Sequence, residues 1–307
     1  MPPMLSRRHL LRAAPLLACP GLSRADPAFD PEADPTFGRQ IVFDEFFTAI
    51  DPAIWHAGRK ATTFDGGYYG RSAFAPIEGA EGVVPYAIVD DPEAENGHAL
   101  RLSAYHIGRP MTMPDYYGNE DPEFQWVSGN LQTARSDGTI LRGWRRGYFE
   151  TRMRMPLHPL TWSAFWMMNG NSILTPRTSI EIDVIEHKGF EPHLYGAYLH
   201  EWGQPGEHHE GAGVPVEPDL SRGYHRYGVL LTRNRCQVYF DRRPIRAPFT
   251  GKPLVWVINR SVEMDMDNDT FWPLLTLALL SDVSYPDPLR DQDREAHLHI
   301  DYFRVFA

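Results

Sequence analysis

Cysteine is nearly missing from this chain. Only Cys19 and Cys236 occur in 307 residues, and loss of an N-terminal leader would leave a single thiol, so no internal disulfide can hold the mature protein. Long apolar runs are missing too. None approaches the roughly 18 residues that a membrane-spanning helix needs, and the longest, Phe271 to Leu280, suits a buried strand. Positive charge is scarce, with a formal net charge of −10. Residues 1–25 hold Arg7, Arg8, Arg12 and Arg24 and no acid, so the rest of the chain stands at −14. Such a chain repels the phosphates of a nucleic acid rather than neutralising them. Helical patterns are few and short, which excludes a coiled coil.

Turn-formers and aromatics are abundant. The 27 prolines lie well above the usual share of about 5%, and 25 glycines and 8 tryptophans accompany them. This punctuation separates short segments whose side chains alternate. In Gly147–Met155, Tyr148, Glu150, Arg152 and Arg154 fall on one face and Phe149, Thr151, Met153 and Met155 on the other. Leu100–His106, Leu194–Glu201, Tyr227–Thr232, Cys236–Phe240, Leu254–Ile258 and His297–Phe306 are further strand candidates. Turn signals such as Asp65-Gly66-Gly67, Asp137-Gly138 and Asp241 to Pro244 lie between segments. Many strands and little helix predict an all-β fold, a two-sheet antiparallel jelly-roll sandwich over residues 40–307.

The N-terminus has a different character. Ser6-Arg7-Arg8-His9-Leu10-Leu11-Arg12 resembles a twin-arginine export signal, with small residues Ser23 and Ala25 placed for cleavage after Ala25. Residues 1–25 are therefore expected to direct export to the periplasm or beyond. Lipid attachment at Cys19, after Leu16-Leu17-Ala18, is the lesser alternative. Residues 26–39 are acidic and proline-spaced, which predicts an extended linker before a domain starting near Gln40.

The most informative stretch is Ser179-Ile-Glu181-Ile-Asp183-Val-Ile-Glu186-His187. Glu181 and Asp183 are two apart and share a strand face, opposite Ile180, Ile182 and Val184. Glu186 is an odd five residues from Glu181, so strict alternation puts it on the wrong side. A β-bulge at Val184-Ile185 restores it to the face of the other two. Clustered carboxylates repel, and burial raises the pKa of at least one. One ionised and one protonated carboxyl is what a two-carboxylate glycosidase requires. A retaining enzyme needs the two about 5–5.5 Å apart, whereas four strand steps separate Cα atoms by roughly 13 Å. The side chains must then converge on a concave sheet. Spacing alone leaves an acidic edge strand or a calcium site open.

Glu181-Ile-Asp183-Val-Ile-Glu186 resembles the Glu-x-Asp-x-x-Glu signature of family 16 glycoside hydrolases, the laminarinase, lichenase and agarase group. Gly147 to Pro156, Ser128-Gly-Asn-Leu131, Trp162-Ser-Ala-Phe-Trp166 and Ile300 to Val305 also resemble segments of that family, with Ser163 where proline is usual. The resemblance implies a jelly roll with an open cleft and a retaining mechanism. In it Glu181 is the nucleophile, Glu186 the general acid/base, and Asp183 the residue that sets their pKa values apart. It implies sugar contacts from Trp162, Trp166, His200, Trp202 and Asn130, and no cofactor for catalysis. A structural calcium at Asp301 with Glu45 is a further expectation. The bulged motif belongs to the branch holding mainly β-1,3-glucanases and several galactan hydrolases. The expected activity is therefore endo-cleavage of a polysaccharide at β-1,3 or adjacent β-1,4 glucan bonds, by a monomer. A galactan or bacterial exopolysaccharide hydrolase, a transglycosylase, and a non-catalytic carbohydrate-binding protein are the alternatives.

Two other clusters compete for attention. His208-His209 with Glu207 and Glu210 suggest a transition metal, but Gly203 to Gly213 reads as a solvated loop without a third ligand strand. Met264 to Asp269 has alternate acids but neither the glycine nor the terminal glutamate of an EF-hand.

Overall fold

Period-two alternation is realised as strand almost throughout. The computed structural model describes residues 29–58, 68–114, 119–135, 137, 139–169, 179–203, 207–258, 269–281 and 290–307. Along them run β1 (Ile41–Glu45), β2 (His56–Ala57), β3 (Tyr68–Tyr69), β4 (Ser72–Phe74), β5 (Tyr86–Asp90), β6 (His98–Thr112), β7 (Glu123–Ser128), β8 (Asn130–Gln132), β9 (Gly147–Arg154) and β10 (Thr161–Asn169). There follow β11 (Ser179–Lys188), β12 (Leu194–Trp202), β13 (His208–Pro215), β14 (His225–Leu231), β15 (Arg235–Phe240), β16 (Arg243–Pro244), β17 (Val255–Val257), β18 (Phe271–Leu279) and β19 (Glu295–Phe306). One 3-10 turn, Asp291–Asp293, is the only helical element among the described residues.

The strands form two sheets. The smaller runs β13-β12-β11-β10-β18-β8-β2, and the larger has the main path β16-β15-β14-β9-β19-β6-β7-β4-β3. Between them lies one apolar core. Phe149, Met153, Leu298, Ile300 and Val305 enter it from the larger sheet, and Ile180, Ile182, Val184, Leu199, Leu275 and Leu277 from the smaller. Burial of this kind contributes about 25 cal/mol per Å² of apolar surface. The architecture is the all-β jelly-roll sandwich expected, and the candidate strands fall within a few residues of the observed ones. The face opposite the core on the smaller sheet is where the carboxylates emerge.

The linker expectation needs correcting. Residues 1–28, with the candidate leader and Cys19, lie outside the described residues, but Pro31–Ala307 form one compact unit. From Pro31 the chain turns rather than extends. The Asp34 carboxylate accepts from the Thr36 N–H at 2.8 Å, and Phe37 N–H donates to Asp34 C=O. Gln237 donates to Pro31 C=O, and Arg246 pairs with Glu32 at 2.6 Å. An aspartate before proline caps a turn as readily as it spaces a linker, and here Glu32 also has a cationic partner.

A second correction concerns Gly203 to Gly213. His208–Pro215 is not a loop but β13, the edge of the smaller sheet, paired with β12 from Glu201↔His208 to Leu194↔Pro215. The Gly211 and Gly213 of this strand misled the reading. Gly211 is bare for a reason: a Cβ there would lie 2.1 Å from the Tyr198 ring, and one on Gly196 would lie 2.4 Å from it. The two glycines let Tyr198 lie flat on the sheet.

Candidate active site

The bulge on β11 is present where the carboxylate spacing demands it. Against β12, Asp183 pairs with Tyr198 and Glu186 with Gly196, so three steps on β11 match two on its neighbour. Against β10, Phe165 pairs with Ile185 and Trp166 with Asp183, leaving Val184 as the extra residue. Val184 and Ile185 both turn into the core. Glu181, Asp183 and Glu186 therefore line one pocket on the outer face, with Tyr69, Trp162, Ala164, Trp166, Thr276 and Ala278.

Each glutamate has an indole partner. Trp162 Nε1 donates to Glu186 Oε1 at 2.9 Å, and Trp202 Nε1 donates to Glu181 Oε2 at 2.7 Å. Asp183 is 4% exposed, and His200 Nε2 lies 3.3 Å from its Oδ2. Burial, with the charges of Glu181 and Glu186, pushes the Asp183 carboxyl well above the ordinary aspartate range. Burial also raises Glu186; the Trp162 hydrogen bond opposes the rise and the charge of Glu181 adds to it. The site thus places a half-buried Glu181 in a row with two carboxyls, Asp183 and Glu186, whose proton affinity burial raises.

The pocket wall is aromatic. Trp162 and Trp166 project from the same face of β10, and Tyr69 meets both edge-on at centroid distances of 6.0 and 5.9 Å. Trp166 is nearly buried in a small apolar cluster with Ala134, Ala164, Trp272 and Leu274, and its Nε1 donates to Thr276 Oγ1 at 2.8 Å. Tyr198, His200 and Trp202 form a stacked row along β12, with ring centroids 5.9 and 5.2 Å apart.

Two expected contacts are corrected. Asn130 is wholly buried and does not line the pocket. Its Oδ1 accepts from Thr276 Oγ1 and its Nδ2 donates to Gly58 C=O at 2.9 Å, so it anchors the threonine that holds Trp166. Glu45 and Asp301 do not fit a calcium site. Glu45 accepts from Phe47 N–H and Trp55 Nε1, while Asp301 takes the Arg152 guanidinium and Glu95 N–H. Calcium needs oxygen ligands turned toward it, and here N–H donors occupy both carboxylates. No group of three or more His, Cys, Asp or Glu is arranged for a metal among the described residues. Residues 264–268 of the acidic stretch lie outside them.

Tyr69, Thr276 and Ala278 escaped sequence reasoning. Thr276 had a signal: it is the one polar residue in Phe271–Leu280. Tyr69, on a two-residue strand, had none.

Comparison with known proteins bears on the whole arrangement. Residues 125–252, which include the bulged strand, match the model of Glycosyl hydrolases family 16. The chain is 27% identical over 220 residues to Endo-1,3-1,4-beta-glycanase EglC of Rhizobium meliloti (strain 1021), covering 69% of the chain and 42% of that protein. It is 32% identical over 125 residues to a glucan endo-1,3-beta-glucosidase of Cryptopygus antarcticus, covering 39% and 43%. The chain thus spans less than half the length of the curated relatives it matches. Among solved structures, the catalytic domain of an endo-1,3-beta-glucanase (laminarinase) from Thermotoga petrophila RKU-1 shares the fold. Its TM-score is 0.58 at 20% identity over 88% of this chain and 98% of that one.

Proposed function

We propose that this protein is a family 16 hydrolase, a retaining endo-β-glucanase that cleaves internal β-1,3 bonds, or β-1,4 bonds adjacent to them, in a neutral polysaccharide. The observation that carries the reading is the bulged strand, which delivers Glu181 and Glu186 into one pocket, each capped by an indole N–H. Glu181 attacks the anomeric carbon and forms a covalent glycosyl-enzyme, while Glu186 gives its proton to the departing glycosidic oxygen. Part of what holds that proton is the negative charge of Glu181. Bonding to the sugar removes that charge, so Glu186 holds a proton less tightly and its carboxylate form is favoured. The Trp162 hydrogen bond then favours its ionised form. Glu186 next takes a proton from the water that releases the sugar. Tyr69, Trp162 and Trp166 supply the apolar wall for the sugar ring. The names of the relatives point to 1,3- and 1,3-1,4-linked glycans, and the mature charge of −14 disfavours sulfated or uronic-acid polymers. We extend the proposal to export, resting on Arg7-Arg8.

The substrate reading is tested by incubating the protein with laminarin, lichenan and agarose and following new anomeric protons by NMR. The expected result is β-anomer as first product from laminarin or lichenan. Activity on agarose alone overturns the glucan assignment, and a first-formed α-anomer overturns retention.

Asp183→Asn is expected to lower kcat more than it raises KM and to move the pH–rate profile, because it removes a titrating neighbour of both glutamates. It is also expected to stabilise the fold at neutral pH. The raised carboxyl binds its proton more tightly in the folded protein than in the unfolded chain. Its contribution is therefore fully present below the ordinary aspartate pKa and is lost as pH rises through the raised value. Thermal melts of wild type and variant should diverge as pH rises through that window. Coincident melts and an unchanged profile would reduce Asp183 to packing.

A further inference from the structure

We propose that His209 and Glu207 are positioning residues that fix the tautomer of His200 and thereby keep Asp183 a hydrogen-bond donor between the two glutamates. The inference deepens the glycosidase reading and rests on it for its catalytic consequence.

Four side chains form a line from the pocket to the sheet edge. His200 Nε2 faces Asp183 Oδ2 at 3.3 Å. His200 Nδ1 and His209 Nδ1 are 2.9 Å apart. His209 Nε2 lies 3.2 Å from Glu207 Oε1. The rings are held in place: His200 stacks between Tyr198 and Trp202, and His209 stands edge-on to His200 and Trp202 at 4.9 and 4.7 Å. The β12–β13 pairing sets His200 directly opposite His209.

The direction of the line follows from donor and acceptor chemistry. A carboxylate only accepts, so the Glu207 contact places a proton on His209 Nε2. A neutral His209 then presents a bare Nδ1. The close pair of Nδ1 atoms shares one proton, which must belong to His200. A neutral His200 with Nδ1–H offers a bare Nε2 to Asp183, and the match for an acceptor there is a carboxyl that carries its proton. The groups facing this line are Glu181, Asp183 and Glu186 from β11, Tyr198 from β12 and Glu207 from the residue just before β13. With Asp183 neutral, no third negative charge stands between Glu181 and Glu186. The direction in which burial and its acidic neighbours move Asp183 agrees with this state. Without His209 as acceptor, His200 is free to place its proton on Nε2, donate to Asp183 and favour the carboxylate.

The test uses the full chain labelled with ¹⁵N-histidine, with imidazole tautomers read by long-range ¹H–¹⁵N NMR and kcat and KM measured against pH on the polysaccharide the wild type cleaves. Wild-type His200 is expected as the Nδ1–H tautomer. His209→Leu should switch it to Nε2–H, lower kcat several-fold with little change in KM, and move the profile limb that reports Asp183 to lower pH. His209→Asn, whose amide oxygen can accept from His200 Nδ1–H, should restore the tautomer and most of kcat. Glu207→Ala probes the far end of the line and should loosen the tautomer preference. An Nε2–H His200 in the wild type overturns the proposal, as does a His209→Leu variant with tautomer and pH profile unchanged. A wild type inactive on every glycan would sink the glycosidase reading instead, while the tautomer measurement still decides the relay.

Discussion

Glu186→Gln is expected to lower kcat on a polysaccharide by about 10²–10⁴-fold, the range over which a positioned general acid or base acts, with the fold intact. Glu181→Gln should lose at least as much, because no covalent intermediate can form. The two roles separate by rescue with azide on an activated aryl glycoside. In Glu181→Ala, azide fills the place of the missing carboxylate, displaces the leaving group and gives the α-glycosyl azide. In Glu186→Ala, the good leaving group departs without an acid, Glu181 forms the intermediate, and azide opens it to the β-glycosyl azide. Either Gln variant retaining more than about a tenth of wild-type kcat would remove its assignment, since that falls below the contribution of an acid or base. Azide products of the opposite configuration would exchange the two roles.

The bulge that makes this chemistry available was legible before any coordinates. Glu186 stands an odd number of residues from Glu181 in an otherwise alternating strand, and only an extra residue brings both to one face. The observed shift at Val184 is that residue. Strands such as β9 and β19 were legible for the same reason, since one face of each had to enter the core. The histidine line was not. Glycines at 211 and 213 read as a loop, yet Gly211 leaves room for the Tyr198 ring, a requirement set by a different strand. Asn130 misled in the opposite sense. An amide near the motif reads as a sugar contact, whereas its partners Thr276 and Gly58 come from distant parts of the chain. Donor and acceptor matching across strands is a property of the sheet order, and alternation along one strand carries no trace of it. Asp301 shows the same limit, because its donors Glu95 and Arg152 lie on segments far from it in sequence.

On the outer face of the larger sheet, Arg242→Ala is expected to destabilise the protein by about 3 kcal/mol, the lower end for removing one partner of a buried ion pair. Glu150 has no exposed surface, yet its carboxylate accepts four hydrogen bonds. Arg242 supplies two from Nε and a terminal nitrogen, each at 2.8 Å, and Tyr148 and Tyr302 hydroxyls supply the others at 3.0 and 2.8 Å. Truncating Arg242 leaves a buried carboxylate with two neutral donors and no directly bonded cation, Arg226 acting on it only at longer range. The figure is the lower end because the Arg242 side chain is 32% exposed, so water replaces part of what is lost. Arg242 also occupies a two-residue hairpin between β15 and β16 with φ values of 48° for Asp241 and 61° for itself, a left-handed turn that favours glycine. Arg242→Gly relaxes that backbone while removing the same ion pair, so it separates the two effects and should unfold at a denaturant concentration between those of wild type and Arg242→Ala. Adding Glu150→Gln to Arg242→Ala removes the stranded charge and should recover much of the loss. Urea unfolding of the four proteins decides the matter. Equal midpoints for wild type and Arg242→Ala would mean that the tyrosine hydroxyls alone satisfy Glu150, and no recovery in the double variant would place the loss in the turn rather than in the charge.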